Sequence, residues 1–300
     1  MTDVAGKTAF LTGAGSGIGF ATARALGAEG ARVVLADIDF ERVEKAAASL
    51  RDQGLEAMAV RLDVASPASW AEAKVAAAAF GPVSILFSNA GVGGGSGAFE
   101  SYDPAVWRWN YNVNVHGHFN ACQAFLGDMK AQGEDAHLVI TASMVALVPP
   151  PISVAYISSK FAALGIAMAL RNELGGTRVG VSVLCPGMVA TRIVETTRDL
   201  RPVQPEQGAA AITAQAMSGV LASGMDPQAI GDHVARAILA NDFYIFTHPE
   251  WREMLKIHTD EMLDAFGASS DPAYLGDDIE GLIGANGGRP FVGARTGENG

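Results

Sequence analysis

The sequence predicts an α/β fold: a parallel sheet covered by helices on both faces. Short apolar runs alternate with longer stretches of helical periodicity along most of the 300 residues. That alternation is what strand–helix–strand crossovers between parallel neighbours require. The punctuation agrees, with Gly30, Gly54, Gly81 and Gly133 each following a helical stretch, where a C-terminal cap favours glycine.

In chain order, an apolar strand over 7–12 runs into a glycine cluster and an alanine-rich helix over 17–29. A strand over 32–37 ends on Asp37, and Asp39 is placed to cap the helix at 40–53. A strand at 56–62 precedes a helix at 67–80, and a strand at 83–88 precedes Gly93-Gly94-Gly95 and a long helical segment, 104–130. Next come a strand at 137–143, a helix at 154–173 and a strand at 178–185. Asp226-Pro227 opens a helix over 227–241, before a strand at 243–247 and a helix at 249–266. The stretch 192–224 breaks the rhythm. It carries Pro202, Pro205 and many alanines, is too long for a connector, and is expected to be a substrate lid. Residues 1–266 thus read as one catalytic domain, and 267–300 as an extension, either a frayed terminus or a subunit-packing arm.

The bulk composition excludes several classes. With 49% hydrophobic and 18% charged residues the chain is an ordinary globular one. A net charge of −11 gives a nucleic acid or an anionic membrane no basic surface to meet. The apolar run 161–170 falls far short of a span of about 20 residues. The only cysteines, Cys122 and Cys185, make no disulfide framework and lack metal-site spacing. His116 and His118, two apart on a helix, do not converge on a metal. No leader is expected, because the first strand begins at residue 7, and the reading is cytoplasmic.

The glycine cluster carries the first chemistry. Gly13, Gly17 and Gly19, with Ser16 and Ile18 between them, lie between a strand and a helix. A helix N-terminus offers free N–H groups and partial positive charge, and glycines let a diphosphate approach the backbone. Asp37, 18 residues beyond Gly19, is placed to accept hydrogen bonds from both adenosine ribose hydroxyls and to repel a 2′-phosphate. Neither Ser16 nor Ile38 is basic, so NAD is favoured over NADP. Asp63 is expected to receive the adenine amino group, with Val64 packed on the ring.

The second group is Ser143, Tyr156 and Lys160. Tyr156 and Lys160 are four apart, hence on one helix face about a turn from each other. A phenol with a pKa of about 10 is a poor base, and a nearby ammonium and a cationic nicotinamide would each lower that value. Tyr156 can then exchange a proton with a substrate oxygen while hydride moves. Ser143, closing the fifth strand, can hydrogen-bond that oxygen as charge grows on it.

Taken together, Thr12-Gly13-x-x-x-Gly17-Ile18-Gly19, Ser88-Asn89-Ala90-Gly91, Asn114, Ser143, Tyr156 and Lys160 resemble the short-chain dehydrogenase/reductase family in its compact branch. Ser143 stands 13 residues before Tyr156, as in that family. Ser88 departs from the family's first asparagine, whereas Asn89, Ala90 and Gly91 keep the pattern. The stretch Pro186-Gly187-Met188-Val189-Ala190-Thr191 is similar to the one that holds the nicotinamide carboxamide. The resemblance, over residues 4–250, implies a three-layer doubly wound Rossmann fold with a mostly parallel seven-stranded sheet. It implies that Asn114 relays protons through water to Lys160, and that a homotetramer or homodimer forms through the long helices. The final helix and tail resemble branches acting on bulkier aromatic or alicyclic alcohols.

The substrate walls are expected around Val145, Pro150 and Met188, with few charges, which suits an apolar alcohol or ketone. The leading reading is an NAD-dependent secondary-alcohol dehydrogenase or ketone reductase. The alternatives are an epimerase or dehydratase, which would need a larger substrate lobe, and a non-catalytic NAD sensor, which would be expected to have lost Ser143, Tyr156 or Lys160.

Overall fold

A computed structural model of the chain describes residues 2–95, 98–151, 153–203, 219 and 221–266, together with 278 and 281. Seven strands, β1 (Thr8–Thr12), β2 (Arg32–Asp37), β3 (Ala57–Arg61), β4 (Val83–Ser88), β5 (Ala136–Thr141), β6 (Val179–Cys185) and β7 (Tyr244–Phe246), form one sheet in the order β3-β2-β1-β4-β5-β6-β7. Every pairing is parallel, so the sheet is wholly rather than mostly parallel. Order reverses between β1 and β4, and a crevice opens there at the C-terminal strand ends.

The strands bury both faces, and alternate residues serve opposite layers. Phe10, Leu86, Leu138 and Val183 point to one layer, packed with Trp70, Phe125 and Met129. Leu11, Phe87, Val139 and Leu184 point to the other, with Leu26, Leu50, Ile230 and Val234. The covering helices are α1 (Gly17–Ala28), α2 (Phe40–Arg51), α3 (Pro67–Ala77), α4 (Pro104–Tyr111), α5 (Gly117–Ala131), α6 (Val154–Glu173), α7 (Ile193–Leu200), α8 (Pro227–Ala240) and α9 (Arg252–Asp264). Side-chain oxygens of Asp39, Ser66, Asp103, Ser153 and Asp226 cap the helices that follow them, which fixes their starting points.

Three expectations change. The strand expected to reach Ser143 stops at Thr141, because Ser143 caps a 3₁₀ turn, Met144–Ala146. The long helix over 104–130 is two helices joined by a π-turn, Asn112–His116. The last helix begins with a 3₁₀ turn, Pro249–Trp251, and becomes α-helical at Arg252. Of the stretch 192–224, α7 is described, while 204–218 and 220 lie outside the described residues, as does 267–300 apart from 278 and 281.

Among the described helices, α6 alone is long and apolar enough to cross a membrane. Its buried stripe of Ala155, Ser159, Lys160, Ala163, Leu164 and Ala167 packs on β5 and β6, the placement of a core helix in an α/β domain.

Candidate active site

β1 delivers the chain into a tight turn. Gly13 and Gly17 take φ of 62° and 56°, a region other residues rarely enter. Gly19 serves a different purpose, since a Cβ on it would run into the Gly13 carbonyl. Ser16 is the N-cap of α1 but makes no side-chain cap bond. The first N–H groups of α1 are thereby left for an anion. Gly13, Ser16, Gly17 and Ile18 line one cleft together with Asp37, Asn89, Ala90, Gly91, Tyr156, Lys160, Pro186, Gly187, Val189 and Thr191. These are most of the residues singled out from the sequence. The Thr191 methyl lies 3.1 Å from a Cβ built on Gly17, so the β6 loop closes over the glycine turn.

The loop after β4 is braced from below. The Thr12 hydroxyl accepts the N–H groups of Asn89 at 2.8 Å and Ala90 at 3.0 Å. Asn89 in turn donates from Nδ2 to the Thr12 carbonyl at 3.1 Å and accepts the Thr141 hydroxyl at 3.1 Å. One asparagine thus ties β1, β4 and β5 at the crevice. Ser88, where the family pattern departs, instead meets the His118 ring at 2.7 Å.

Asp37 accepts N–H groups of Gly15 and Asp39, each at 3.1 Å. Burial raises its carboxyl above the ordinary range, opposed by those two backbone bonds and by the Arg42 guanidinium. Ser16 and Ile38 are not basic, but Arg42 stands near: it lines the cleft and pairs with Asp39 at 2.7 Å. The reason is geometric, because α2 starts at Phe40 and its first turn brings Arg42 back beside the strand end.

Asp63 and Val64 are not brought to the described cleft wall. Asp63 Oδ1 accepts the Ala65 N–H at 2.9 Å, and the Asp63 N–H meets the Ser69 hydroxyl at 3.0 Å. Val64 is buried in the core and packs against Gly117. Both serve the turn between β3 and α3.

Over the middle of the crevice, Tyr156 and Lys160 stand on the first turns of α6. Lys160 Nζ lies 5.7 Å from the Tyr156 ring centroid and donates to the Thr141 carbonyl at 3.1 Å. Burial brings the Lys160 amine down to about 8. In the free protein burial also raises the Tyr156 phenol above its usual value, and the Ser143 hydroxyl pulls it back. Desolvation of the hydroxyl thus outweighs the one lowering contact, which comes from Ser143 rather than from Lys160. Ser143 is buried; its hydroxyl donates to the Pro186 carbonyl and accepts the Val145 N–H, both at 3.3 Å.

Asn114 sits in the π-turn and is fully buried. Its Oδ1 accepts the Val92 N–H at 2.8 Å, while Nδ2 donates to the Val92 carbonyl at 2.9 Å and the Ser159 hydroxyl at 3.0 Å. A Cβ built on Gly91 would lie 3.3 Å from Asn114 Oδ1 and 3.4 Å from Lys160 Nζ. The two side chains flank Gly91, and the π-turn re-aims the asparagine into that corner.

Gly93-Gly94-Gly95 proves to be a packing surface. A Cβ on Gly94 would run into the Ser153 hydroxyl and lie 2.6 Å from the Tyr156 backbone nitrogen. Gly93 N–H donates to Thr197 of α7 at 2.7 Å, which seats that helix against the loop. Met188 is 47% exposed, Pro150 is half-buried, and Val145 is buried; none of the three is in the described cleft wall. Sequence reasoning missed Arg42, Arg192, Ile193 and Thr196, which do line it. Arg192 had a signal, as it follows Thr191 directly. The buried Cys185 thiol, pushed up to about 12 by burial, is a core residue rather than a nucleophile.

The family described as short chain dehydrogenase matches residues 7–201. The chain is 29% identical to a C alpha-dehydrogenase of a Sphingobium species, covering 94% of each chain. It is 36% identical to a 1-deoxy-11-beta-hydroxypentalenate dehydrogenase of Streptomyces avermitilis, covering 81% of this chain and 85% of that one. Among solved structures, a short chain dehydrogenase/reductase from Burkholderia phymatum in complex with NAD superposes with a TM-score of 0.83 at 33% identity, covering 92% of this chain and 100% of the other.

Proposed function

The chain belongs to the short-chain dehydrogenase family, and from that premise we propose an NAD-dependent oxidoreductase acting between a secondary alcohol and its ketone. The observation that carries this is one cleft bounded at one end by the glycine turn and open helix N-terminus, and at the other by Tyr156 and Lys160. The cationic side chains Arg42, Lys160 and Arg192 line it in a chain of net charge −11, which suits a diphosphate. Asp37 favours NAD: its carboxylate would repel a 2′-phosphate, and Arg42 is already engaged by Asp39. The Burkholderia relative's complex with NAD supports the same choice.

When bound, the nicotinamide supplies or accepts the hydride. Tyr156 holds or releases the proton at the substrate oxygen. Ser143, freed from its long contacts to Pro186 and Val145, hydrogen-bonds the same oxygen. Lys160 stabilises the phenolate and has donors to spare for the nicotinamide ribose. Asn114 relays protons to Lys160 through water past Gly91. Backbone groups of Pro186, Gly187 and Val189, with the Thr191 hydroxyl, hold the carboxamide, while Asn89, Ala90 and Gly91 line the ribose side. Asp63 and Val64 remain assigned to the adenine edge.

We assign an apolar substrate, aromatic or alicyclic, with Val145, Pro150 and Met188 on its side of the cleft. The exposed Met188, which follows β6, and Leu200 at the end of α7 support an apolar rim. A homotetramer or homodimer through α5 and α6 is supported by Phe119 and Phe161, 54% and 43% exposed on those helices. A reducing cytoplasm suits the two free cysteines.

The test is a panel of aryl and cyclic alcohols, their ketones and charged hydroxy acids, each with NAD and NADP, followed by absorbance of the reduced nicotinamide. Turnover of the neutral compounds with NAD is expected. A clear preference for the hydroxy acids would defeat the apolar pocket, and no turnover with no coenzyme binding would defeat the whole reading.

A further inference from the structure

β6 and β7 leave the sheet side by side. Cys185 pairs with Phe246, so two residues further Gly187 faces His248. His248 is buried, and both of its ring nitrogens are spent on the loop that follows β6. Nδ1 lies 3.0 Å from the Gly187 nitrogen and 2.8 Å from the Thr247 hydroxyl. Nε2 lies 2.9 Å from the Met188 carbonyl oxygen. A backbone N–H can only donate, so Nδ1 is an acceptor; the neutral ring then carries its proton on Nε2 and gives it to Met188.

The loop is clamped from other sides too. The Met188 carbonyl also accepts the Met225 N–H at 2.9 Å. A Cβ on Gly187 would lie 2.8 Å from the His248 ring, so glycine permits the imidazole to come this close. The His248 carbonyl accepts the Trp251 N–H at 3.2 Å, which anchors the ring's own backbone to the turn before α9. Pro186, Gly187 and Val189 line the cleft beside Tyr156 and Lys160, while His248 lies behind them.

We propose that His248 is a positioning residue for the nicotinamide end of the coenzyme. Its two-sided grip fixes the Gly187 and Met188 peptide planes, so the 186–189 backbone is set for a carboxamide before one arrives. The side chain itself touches neither coenzyme nor substrate. This inference rests on the coenzyme reading above.

Calorimetric titration of the whole protein with NADH and with ADP-ribose, which lacks the nicotinamide, tests it in wild type, His248→Leu and His248→Asn. The quantity read is the ratio of NADH to ADP-ribose affinity. With the grip lost in His248→Leu, that ratio is expected to fall about tenfold while ADP-ribose binding holds within about twofold. His248→Asn, whose amide oxygen can still accept from Gly187, is expected to recover part of the ratio. An unchanged ratio, or both affinities falling in parallel, overturns the proposal and leaves a purely architectural histidine. If the leucine variant does not fold, the asparagine variant decides by the same ratio, an unchanged one again counting against the clamp. Wild-type protein that binds neither ligand overturns the coenzyme reading itself, and this inference with it.

Discussion

Lys160 places its ammonium between the Tyr156 ring, 5.7 Å away, and the neutral carbonyl of Thr141 at 3.1 Å. A carbonyl compensates a buried ammonium less than a carboxylate would, and burial brings this amine down to about 8 from its usual 10.5. The unfolded chain keeps the same charge in water. Folding is therefore penalised in full below pH 8, and the penalty fades as pH rises from about 8 toward 10.5. Lys160→Met should be most stable relative to wild type near pH 7 and lose up to about 3 kcal/mol of that relative stability by pH 10. Denaturant titrations of both proteins across that range check this, and a gap that does not move with pH would refute it.

Tyr156→Phe keeps the ring in place and removes only the hydroxyl. Loss of the proton-transfer group should lower kcat by a factor of about 10² to 10⁴, with NAD affinity little changed. Steady-state rates and a binding titration separate the two effects; near-normal turnover would remove Tyr156 from its role.

Asp37→Asn removes the carboxylate proposed to meet the ribose and leaves Arg42 close by, 3.3 Å from a Cβ built at Gly15. The kcat/KM ratio of NAD to NADP should fall by about tenfold or more, the scale of one lost charge-assisted contact. Adding Arg42→Ala should reverse most of the gain on NADP. A ratio that stays put in the single variant would count against the ribose assignment.

His118 and His137 are buried and neutral, each brought down to about 3 mainly by desolvation, with Lys160 adding to the effect at His118. Unfolding lets both take up protons, so stability should drop as pH falls from about 6.5 toward 3. Each histidine adds about 1.4 kcal/mol per pH unit within that window. His118→Asn should flatten the slope by one proton, read from urea midpoints between pH 7 and 5. An unaltered slope would mean that His118 is already charged or exposed.

Gly94→Ala should destabilise by about 1–3 kcal/mol and depress activity, because the new methyl meets Ser153 and the start of α6. Gly165→Ala, exposed on the same helix with nothing within 4 Å of the added carbon, should instead stabilise by about 0.5–1 kcal/mol. Thermal melts of the pair decide; two similar melting shifts would mean that the loop and α6 are not in contact.

What the sequence made legible follows from how local each feature is. Tyr156 and Lys160 could be placed because one helix spaces them, and α6 has the bounds read from its pattern because Ser153 caps it. Asp37 was readable as the last residue of a strand. His248 was not, since it reaches Gly187 and Met188 only through the packing of elements distant in sequence, and Arg42 was passed over because the direction of the first turn of α2 had to be known. The π-turn at Asn112–His116 was hidden for another reason: one extra residue in a helical turn leaves no mark in composition or in apolar spacing. Asp63 is a partial case: its place at a strand end was readable, but the turn bonds it makes with Ala65 and Ser69 were not.

The neighbouring of β1 and β4 couples the assembly of the chain to its chemistry. Leu11 pairs with Phe87, so the floor of the crevice is closed only when segments some 76 positions apart meet. Such long-range closure is entropically uphill and slow compared with forming a helix or a hairpin. A ligand that straddles this seam grips the finished molecule and has little hold on half-built chains, so its presence would pull late intermediates forward and slow the opening of the mature protein.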